Sequence, residues 1–139
     1  RGAWILGICL GMQLMTRFSE EGETKGLGWF PFDTVRFPDQ GSDGKRILVP
    51  HMGWNFAEHG PQQFDGWRES EDSPRFYFVH SYRVDGPEDP SCFSLTEYCG
   101  VPFASGIRDN RVMGVQFHPE KSHRYGMKFF EWFLQMTED

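Results

Sequence analysis

Positive charge is scarce in this sequence. No stretch is rich in Lys or Arg, and 14 basic residues face 20 acidic ones for a net charge of −6. Such a chain is a poor candidate for gripping nucleic acid or an anionic membrane surface, both of which need a concentrated positive patch. Long apolar runs are also missing: none approaches the roughly 18–20 residues that span a bilayer. Cysteine is limited to Cys9, Cys92 and Cys99, an odd number at scattered spacings without a C-x-x-C pair. That argues against a disulfide framework and for a reducing compartment, with the cytoplasm as the expected location. There is no signal-peptide pattern, internal repeat or low-complexity tract. No Walker-type or dinucleotide glycine loop is present, Gly26-x-Gly28 being too weak to count, and no cofactor is expected.

The 139 residues are 38% hydrophobic and 17% aromatic, with 14 Phe and 5 Trp, enough for the core of one domain. Trp4 to Ile8 is a short continuous apolar run, which predicts a strand buried on both faces. A tight turn at Cys9 leads into Leu10–Phe18, where Leu10, Leu14 and Phe18 recur at helical spacing. Gly22, Gly26 and Gly28 end that helix. The middle region reads as β structure: Val35 and Phe37, a turn-rich stretch from Pro38 to Gly44, then Ile47-Leu48-Val49. Residues 58–75 read as a surface loop. Further strands are predicted at Phe76–Val79, Phe93–Tyr98, Phe103–Arg108 and Arg111–Phe117, with Asp109-Asn110 as the hairpin turn joining the last two. A closing helix has Met127, Phe130 and Leu134 on one face, widened by Phe129 and Phe133.

Gly7-Ile8-Cys9-Leu10-Gly11 has the form G-x-nucleophile-x-G. A strand that turns abruptly into a helix lifts the central side chain clear of the sheet, and small neighbours relieve the crowding. The helix N-terminus behind Cys9 favours a thiolate, and the N–H of Leu10 is the natural first donor of an oxyanion hole. The competing reading makes Cys9 a small buried hydrophobe between packing glycines. A thiol nucleophile needs a base. His118 stands at the end of the apolar strand Val115-Gln116-Phe117, with Pro119 fixing the backbone and Glu120 two residues on. In an extended conformation positions 118 and 120 point the same way, so the carboxylate reaches the imidazole, fixes its tautomer and stabilises its cation. Read without Cys9, the same pair is a strand-end histidine beside a solvated acid. A zinc site from His51, His80, Cys92, Cys99 and His123 lacks paired short spacings, so no metal is expected and Cys92 and Cys99 read as inert thiols.

Gly7-Ile8-Cys9-Leu10-Gly11-Met12-Gln13 and Gly114-Val115-Gln116-Phe117-His118-Pro119-Glu120 closely resemble the two signatures of the class I (triad-type) glutamine amidotransferases. Pro50-His51-Met52-Gly53-Trp54-Asn55, Phe78-Val79-His80-Ser81-Tyr82 and Lys121-Ser122 narrow the resemblance to the branch of glutaminase subunits serving imidazole glycerol phosphate synthase in histidine biosynthesis. The resemblance implies an α/β domain of flavodoxin-like architecture, a mostly parallel sheet with helices on both faces and an antiparallel excursion in the middle. It implies hydrolysis of L-glutamine to glutamate and ammonia, with Cys9 attacking the carboxamide, His118 protonating the ammonia and Glu120 orienting His118. Gln13, Glu21 and the backbone around Ser81 and Tyr82 are then expected at the substrate glutamine. For Gln13 the helix agrees, one turn beyond Cys9 on the same face, against a solvated helix residue as the plain alternative. For Glu21 that alternative is an exposed acid at a helix end.

The implied partner is a (β/α)8-barrel cyclase in a heterodimer, with Trp54, Asn55, Tyr77 and Lys121 as candidate interface residues. A Trp beside Gly and Asn in a loop suits an interface anchor, though Trp54 packing on its own core and a solvated Lys121 are the alternatives. Two departures stand out. The family carries a glycine-rich oxyanion loop and several strands before the nucleophile, whereas here the nucleophile is residue 9 and the first residue is not Met. The 139 residues are therefore expected to be the C-terminal two-thirds or so of one domain. Second, Gly28-Trp29-Phe30, Arg75-Phe76-Tyr77 and Ser122-His123-Arg124-Tyr125-Gly126 look more like a paralogous branch feeding ammonia to amidino-sugar synthesis for surface polysaccharide. A non-catalytic partner-binding module and a cysteine hydrolase on the same fold are the remaining rivals.

Overall fold

The structure, a computed structural model, describes residues 2–62 and 74–138. Strand β1 (Ile5–Ile8) runs parallel to β11 (Val112–Val115), with Gly7 opposite Gly114. Strand β10 (Val101–Asp109) is the hub. It pairs antiparallel with β11 along Gly106–Asp109, with β9 (Cys92–Tyr98), and with β8 (Tyr82–Val84) at Ala104. The sheet continues through β4 (Thr34–Arg36) to the small hairpin of β2 (Phe18–Ser19) and β3 (Thr24–Lys25), while β6 (Glu58–His59) edges β9. A separate antiparallel ribbon joins β5 (His51–Phe56) to β7 (Arg75–His80).

The α/β class holds, but parallel pairing among the described residues is confined to β1 with β11 and β2 with β4. A parallel pair needs a long crossover, and from Arg75 to Val115 the chain mostly doubles back through short turns, which produce antiparallel neighbours. The hairpin between β10 and β11 turns on Asn110-Arg111, one residue later than expected, because Asp109 still pairs with Val112 and Asn110 takes the left-handed φ of 56°. Part of the predicted 58–75 loop lies outside the described residues, and its start forms β6. Ile47-Leu48-Val49 forms no strand: Ile47 is buried while Leu48 and Val49 face outward.

Both helices differ from expectation in instructive ways. Helix α1 covers only Leu10–Gln13, not Leu10–Phe18. The hydroxyl of Thr16 donates to the carbonyl of Gln13 at 2.8 Å and meets Thr34 Oγ1 at 2.9 Å, so the acceptor needed for the next helical turn is already taken. Its buried residues are Met12 and Gln13, followed by buried Met15 and Thr16 beyond its end, whereas Leu10, Leu14 and Phe18 are exposed. Helix α2 (His123–Thr137) turns Gly126 and Phe129 inward and leaves Met127 and Leu134 out, 65% and 60% exposed. Its core is aromatic. Phe129 packs edge-on to Phe117, and Phe117 stacks on Phe76 from β7. Alternation in β7 buries Phe76, Phe78 and His80 and half-buries Tyr77 and Val79, as a period of two requires.

Candidate active site

Strand β1 ends against β11, and the N–H of Cys9 donates to the carbonyl of Val115 at 2.8 Å. There the chain reverses into α1 with Cys9 at φ 56°, ψ −106°, a backbone conformation that L residues avoid. The turn is close enough that a Cβ on Gly7 would sit 2.7 Å from the Gly11 backbone and from Met15 Cε. The crowding is one-sided: a Cβ on Gly11 would meet nothing. Of the two glycines, only Gly7 is demanded by space.

Two further strands end at the same place. Cys9 Sγ donates to the carbonyl of Val79 on β7 at 3.8 Å and accepts from Gln116 Nε2 at 3.6 Å. His118 follows β11 and is bridged to β7, its N–H donating to the carbonyl of Tyr77 at 2.9 Å. Ser122 braces the pair: its hydroxyl donates to the carbonyl of His118 at 2.6 Å and accepts from the N–H of Tyr77 at 2.9 Å. His118 Nδ1 lies 2.7 Å from Glu120 Oε2. An ionised carboxylate only accepts, so Nδ1 carries the proton and Nε2 keeps a free lone pair. The contact is made differently from the expected extended chain, because Pro119–Lys121 form a single 3-10 turn that brings Glu120 back to Nδ1.

The electrostatics of Cys9 also differ from expectation. Burial pushes its thiol up. The hydrogen bonds from the backbone of Leu10 and from Gln116 pull it down, and the charges of Glu120 and Glu21 push it further up. One turn of helix is too short to supply a strong dipole, so desolvation wins. Glu21 is an exposed residue in the β2–β3 turn rather than at a helix end, with its N–H on Ser19 Oγ, and its charge is felt at Cys9.

Gln13 is no solvated helix residue. Its Nε2 donates to the carbonyl of Tyr82 and to Gln116 Oε1, both at 3.0 Å. Both amide N–H groups are thereby engaged, which leaves its carbonyl oxygen for a ligand. Ser81 is exposed between β7 and β8. Of the candidate interface residues, Trp54 lies on strand β5, not in a loop. It is 46% exposed, with Tyr77 edge-on at 6.3 Å and His123 stacked at 5.9 Å. Lys121 is exposed in the 3-10 turn. Asn55 points to the other side of β5, where its Nδ2 donates to the carbonyl of Glu97 at 2.9 Å and meets His51 Nε2 at 3.1 Å.

His51 and His80 do not form part of a metal cluster. Among the described residues no three His, Cys, Asp or Glu side chains are gathered to hold an ion, and these two bond to each other, Nδ1 to Nε2, at 2.9 Å. His80 Nδ1 faces the carbonyl of Tyr82 at 2.8 Å, so it must carry a proton, and the proton on His51 Nδ1 follows. Burial pushes His51 down to about 4 and His80 to about 3, so both are neutral at pH 7. The unfolded chain takes up protons near 6.5 that the folded chain refuses until far lower pH. Stability is therefore expected to fall as pH drops from 6.5 towards 4. Urea unfolding midpoints at several pH values should show this, and His80→Gln should flatten the dependence. An equally steep dependence in that variant would show that other groups cause it.

A family model described as glutamine amidotransferase class-I matches residues 2–136. This chain belongs to that family. Among curated proteins, the amidotransferase chain is 44% identical over 133 residues to imidazole glycerol phosphate synthase subunit HisH 2 of Methanococcus maripaludis, covering 96% of this chain and 63% of that protein. It is 43% identical over 133 residues to the HisH subunit of Aromatoleum aromaticum, covering 93% and 61%, and 42% identical over 137 residues to HisH 2 of Pseudomonas aeruginosa, covering 96% and 63%. The chain thus spans a little over three-fifths of the length of these relatives. Two crystal structures share its fold. One is a glutamine amidotransferase from Thermotoga maritima, with TM-score 0.56 and 22% identity over 96% of this chain and 47% of that one. The other is a protein described as a GMP synthase subunit from Thermoplasma acidophilum, with TM-score 0.65 and 17% identity over 99% and 59%. No helix among the described residues of this amidotransferase is long and apolar enough to cross a membrane.

Sequence reasoning missed that Gln116 contacts Cys9 and that His80 shares the Tyr82 carbonyl with Gln13. The signal for Gln116 was its place between Val115 and Phe117, a polar residue in a strand-end run that is otherwise apolar. It is fully buried.

Proposed function

We propose that this amidotransferase chain carries the glutaminase chemistry of imidazole glycerol phosphate synthase, hydrolysing L-glutamine to glutamate and ammonia. The observation that carries the reading is the strained Cys9 at the strand-to-helix reversal, with the His118–Glu120 pair just beyond the end of the strand beside it. His118 Nε2 takes the thiol proton, and Sγ attacks the carboxamide carbon of glutamine. The oxygen that gains charge meets the N–H of Leu10. His118 then gives its proton to the departing nitrogen, which leaves as ammonia and a γ-glutamyl thioester stays on Cys9. Water, deprotonated by the same imidazole, cleaves the thioester to glutamate and restores the thiol. Glu120 holds the imidazole in register and balances its positive charge. Gln13 through its free carbonyl oxygen, Glu21, and the backbone at Ser81 and Tyr82 hold the substrate. No cofactor takes part.

In this reading the ammonia passes to a (β/α)8-barrel cyclase, so the pair is a heterodimeric lyase of the cytoplasm. The outward face of β5 supports a docking role, because Met52, Trp54 and Phe56 are all exposed along it. This ribbon also carries Val79, whose carbonyl meets Cys9 Sγ, so the docking face and the nucleophile share a strand pair.

A glutamine-analogue electrophile separates an enzyme from a docking module. The expected result with the full-length protein is covalent labelling at Cys9, suppressed by excess glutamine, with Cys92 and Cys99 untouched. Labelling spread over all three cysteines, or none at Cys9, would overturn the assignment. Turnover of peptides or esters without turnover of glutamine would point to a different hydrolase.

A further inference from the structure

Two chains of hydrogen bonds meet at the carbonyl of Tyr82. One arrives from His80 Nδ1, and the other from Gln13 Nε2. A carbonyl oxygen only accepts, so the nitrogen of the Gln13 carboxamide must face Tyr82. Its second N–H then points at Gln116, and that side must be Oε1, at 3.0 Å. With its oxygen fixed there, Gln116 has one orientation left, and Nε2 is turned to Cys9 Sγ at 3.6 Å. Gln116 is fully buried, and a carboxamide is placed without a solvent partner only where every polar atom is used. Its backbone is pinned as well, its N–H donating to the carbonyl of Ser105 at 2.9 Å.

We propose that Gln116 is a positioning residue for the nucleophile: its carboxamide, oriented by Gln13 and the Tyr82 carbonyl, donates a hydrogen bond that stabilises the Cys9 thiolate. The proposal rests on the glutaminase reading for its purpose and not for its geometry. In the resting site the thiol proton points at the Val79 carbonyl. When His118 removes that proton, the sulfur becomes an anion and the Gln116 N–H becomes a charge-assisted donor. The proton taken up leaves His118 a cation that favours the anion, whereas Glu120 on the 3-10 turn and Glu21 in the β2–β3 turn both oppose it. The hydrogen bonds that favour it are those from the backbone of Leu10 and from Gln116. The arrangement also gives Gln13 a double task, since one side chain orients Gln116 through its nitrogen and presents its oxygen to substrate.

The test follows the rate of Cys9 alkylation by iodoacetamide against pH, resolved by mass spectrometry, in the full-length protein. Gln116→Met keeps the length of the side chain and removes the donor. Its midpoint is expected to rise by about one pH unit, so that Cys9 reacts about tenfold more slowly at neutral pH. Exposed Cys99 serves as the reactivity control and should react unchanged, while buried Cys92 should stay unlabelled, which reports that the fold survives. Gln13→Met frees the Gln116 amide to turn and should move the midpoint the same way, and it keeps the question open to test if Gln116→Met does not fold. Midpoints equal to that of the unsubstituted protein in a folded variant would overturn the proposal and leave Gln116 a packing residue. A protein that turns over no glutamine yet shows the shifted midpoint would overturn the glutaminase reading alone.

Discussion

Alanine at position 9 is expected to remove glutamine hydrolysis almost entirely, a loss of about four to six orders of magnitude in kcat, because no other group can form the thioester. The measurement is glutamate release by full-length protein with its synthase partner present, and retained activity would dismiss Cys9 as the nucleophile. Glycine at the same position separates chemistry from architecture. Cys9 holds φ 56°, ψ −106°, which glycine adopts without strain. Cys9→Gly should therefore be as inactive as alanine yet more stable than it, by about 1–2 kcal/mol, the typical cost of a strained non-glycine residue. Thermal melts of the two variants compare this directly. If glycine brings no gain over alanine, the reversal at Cys9 stores no strain.

Strain at Cys9 was legible in the pentapeptide around it, and its cause can be assigned to particular atoms. The motif announces a strand-to-helix reversal, yet its two glycines are unequal: Gly7 has no room for a Cβ, and Gly11 has. The apolar strands Phe76–Val79, Phe93–Tyr98 and Phe103–Arg108 were readable because their neighbours alternate or carry turn residues. Strand β5 was not, although His51, Gly53 and Asn55 alternate with Met52, Trp54 and Phe56. The buried side of β5 is polar, stacked His51 against Phe78 and Tyr98, so the usual apolar signal falls on the solvent side. For the same reason Asn55 looked like a surface residue when it bonds inward.

The catalytic candidates were legible as types and spacing, while the hydrogen bonds that orient them were not. Glu120 reaches His118 through a tight turn that no periodicity encodes, and Gln13 is buried because the helix stops one turn after Cys9. That stop depends on Thr16 and Thr34, eighteen positions apart in sequence. Local pattern cannot report such a contact.

Helix α2 gives the second large effect, and it acts on the site from behind. Gly126 lies where the helix crosses the turn that carries Glu120, and a Cβ there would run into the carbonyl of Pro119. This explains why the buried face is shifted from the predicted one: Phe129, Phe130 and Phe133 pack on the core as expected, but Met127 and Leu134 do not. Close approach at Gly126 fixes the rotation of α2, brings Phe129 onto Phe117, and leaves Met127 and Leu134 outside, against the simple apolar count. Gly126→Ala adds one methyl group that must displace backbone, so the expected destabilisation is about 3 kcal/mol or more, above the gain of a few tenths to one that alanine ordinarily brings within a helix. The displaced atoms belong to Pro119, between His118 and Glu120, so the pair held at 2.7 Å should be disturbed in whatever fraction stays folded. Glutamine turnover per folded molecule should then fall about tenfold or more, as expected when a catalytic group is misplaced by a fraction of an ångström. Gly11→Ala is the matched control, a helical glycine with open space around it, and it should leave thermal stability nearly unchanged. Equal melting temperatures for the two variants would mean that α2 does not set the position of Glu120.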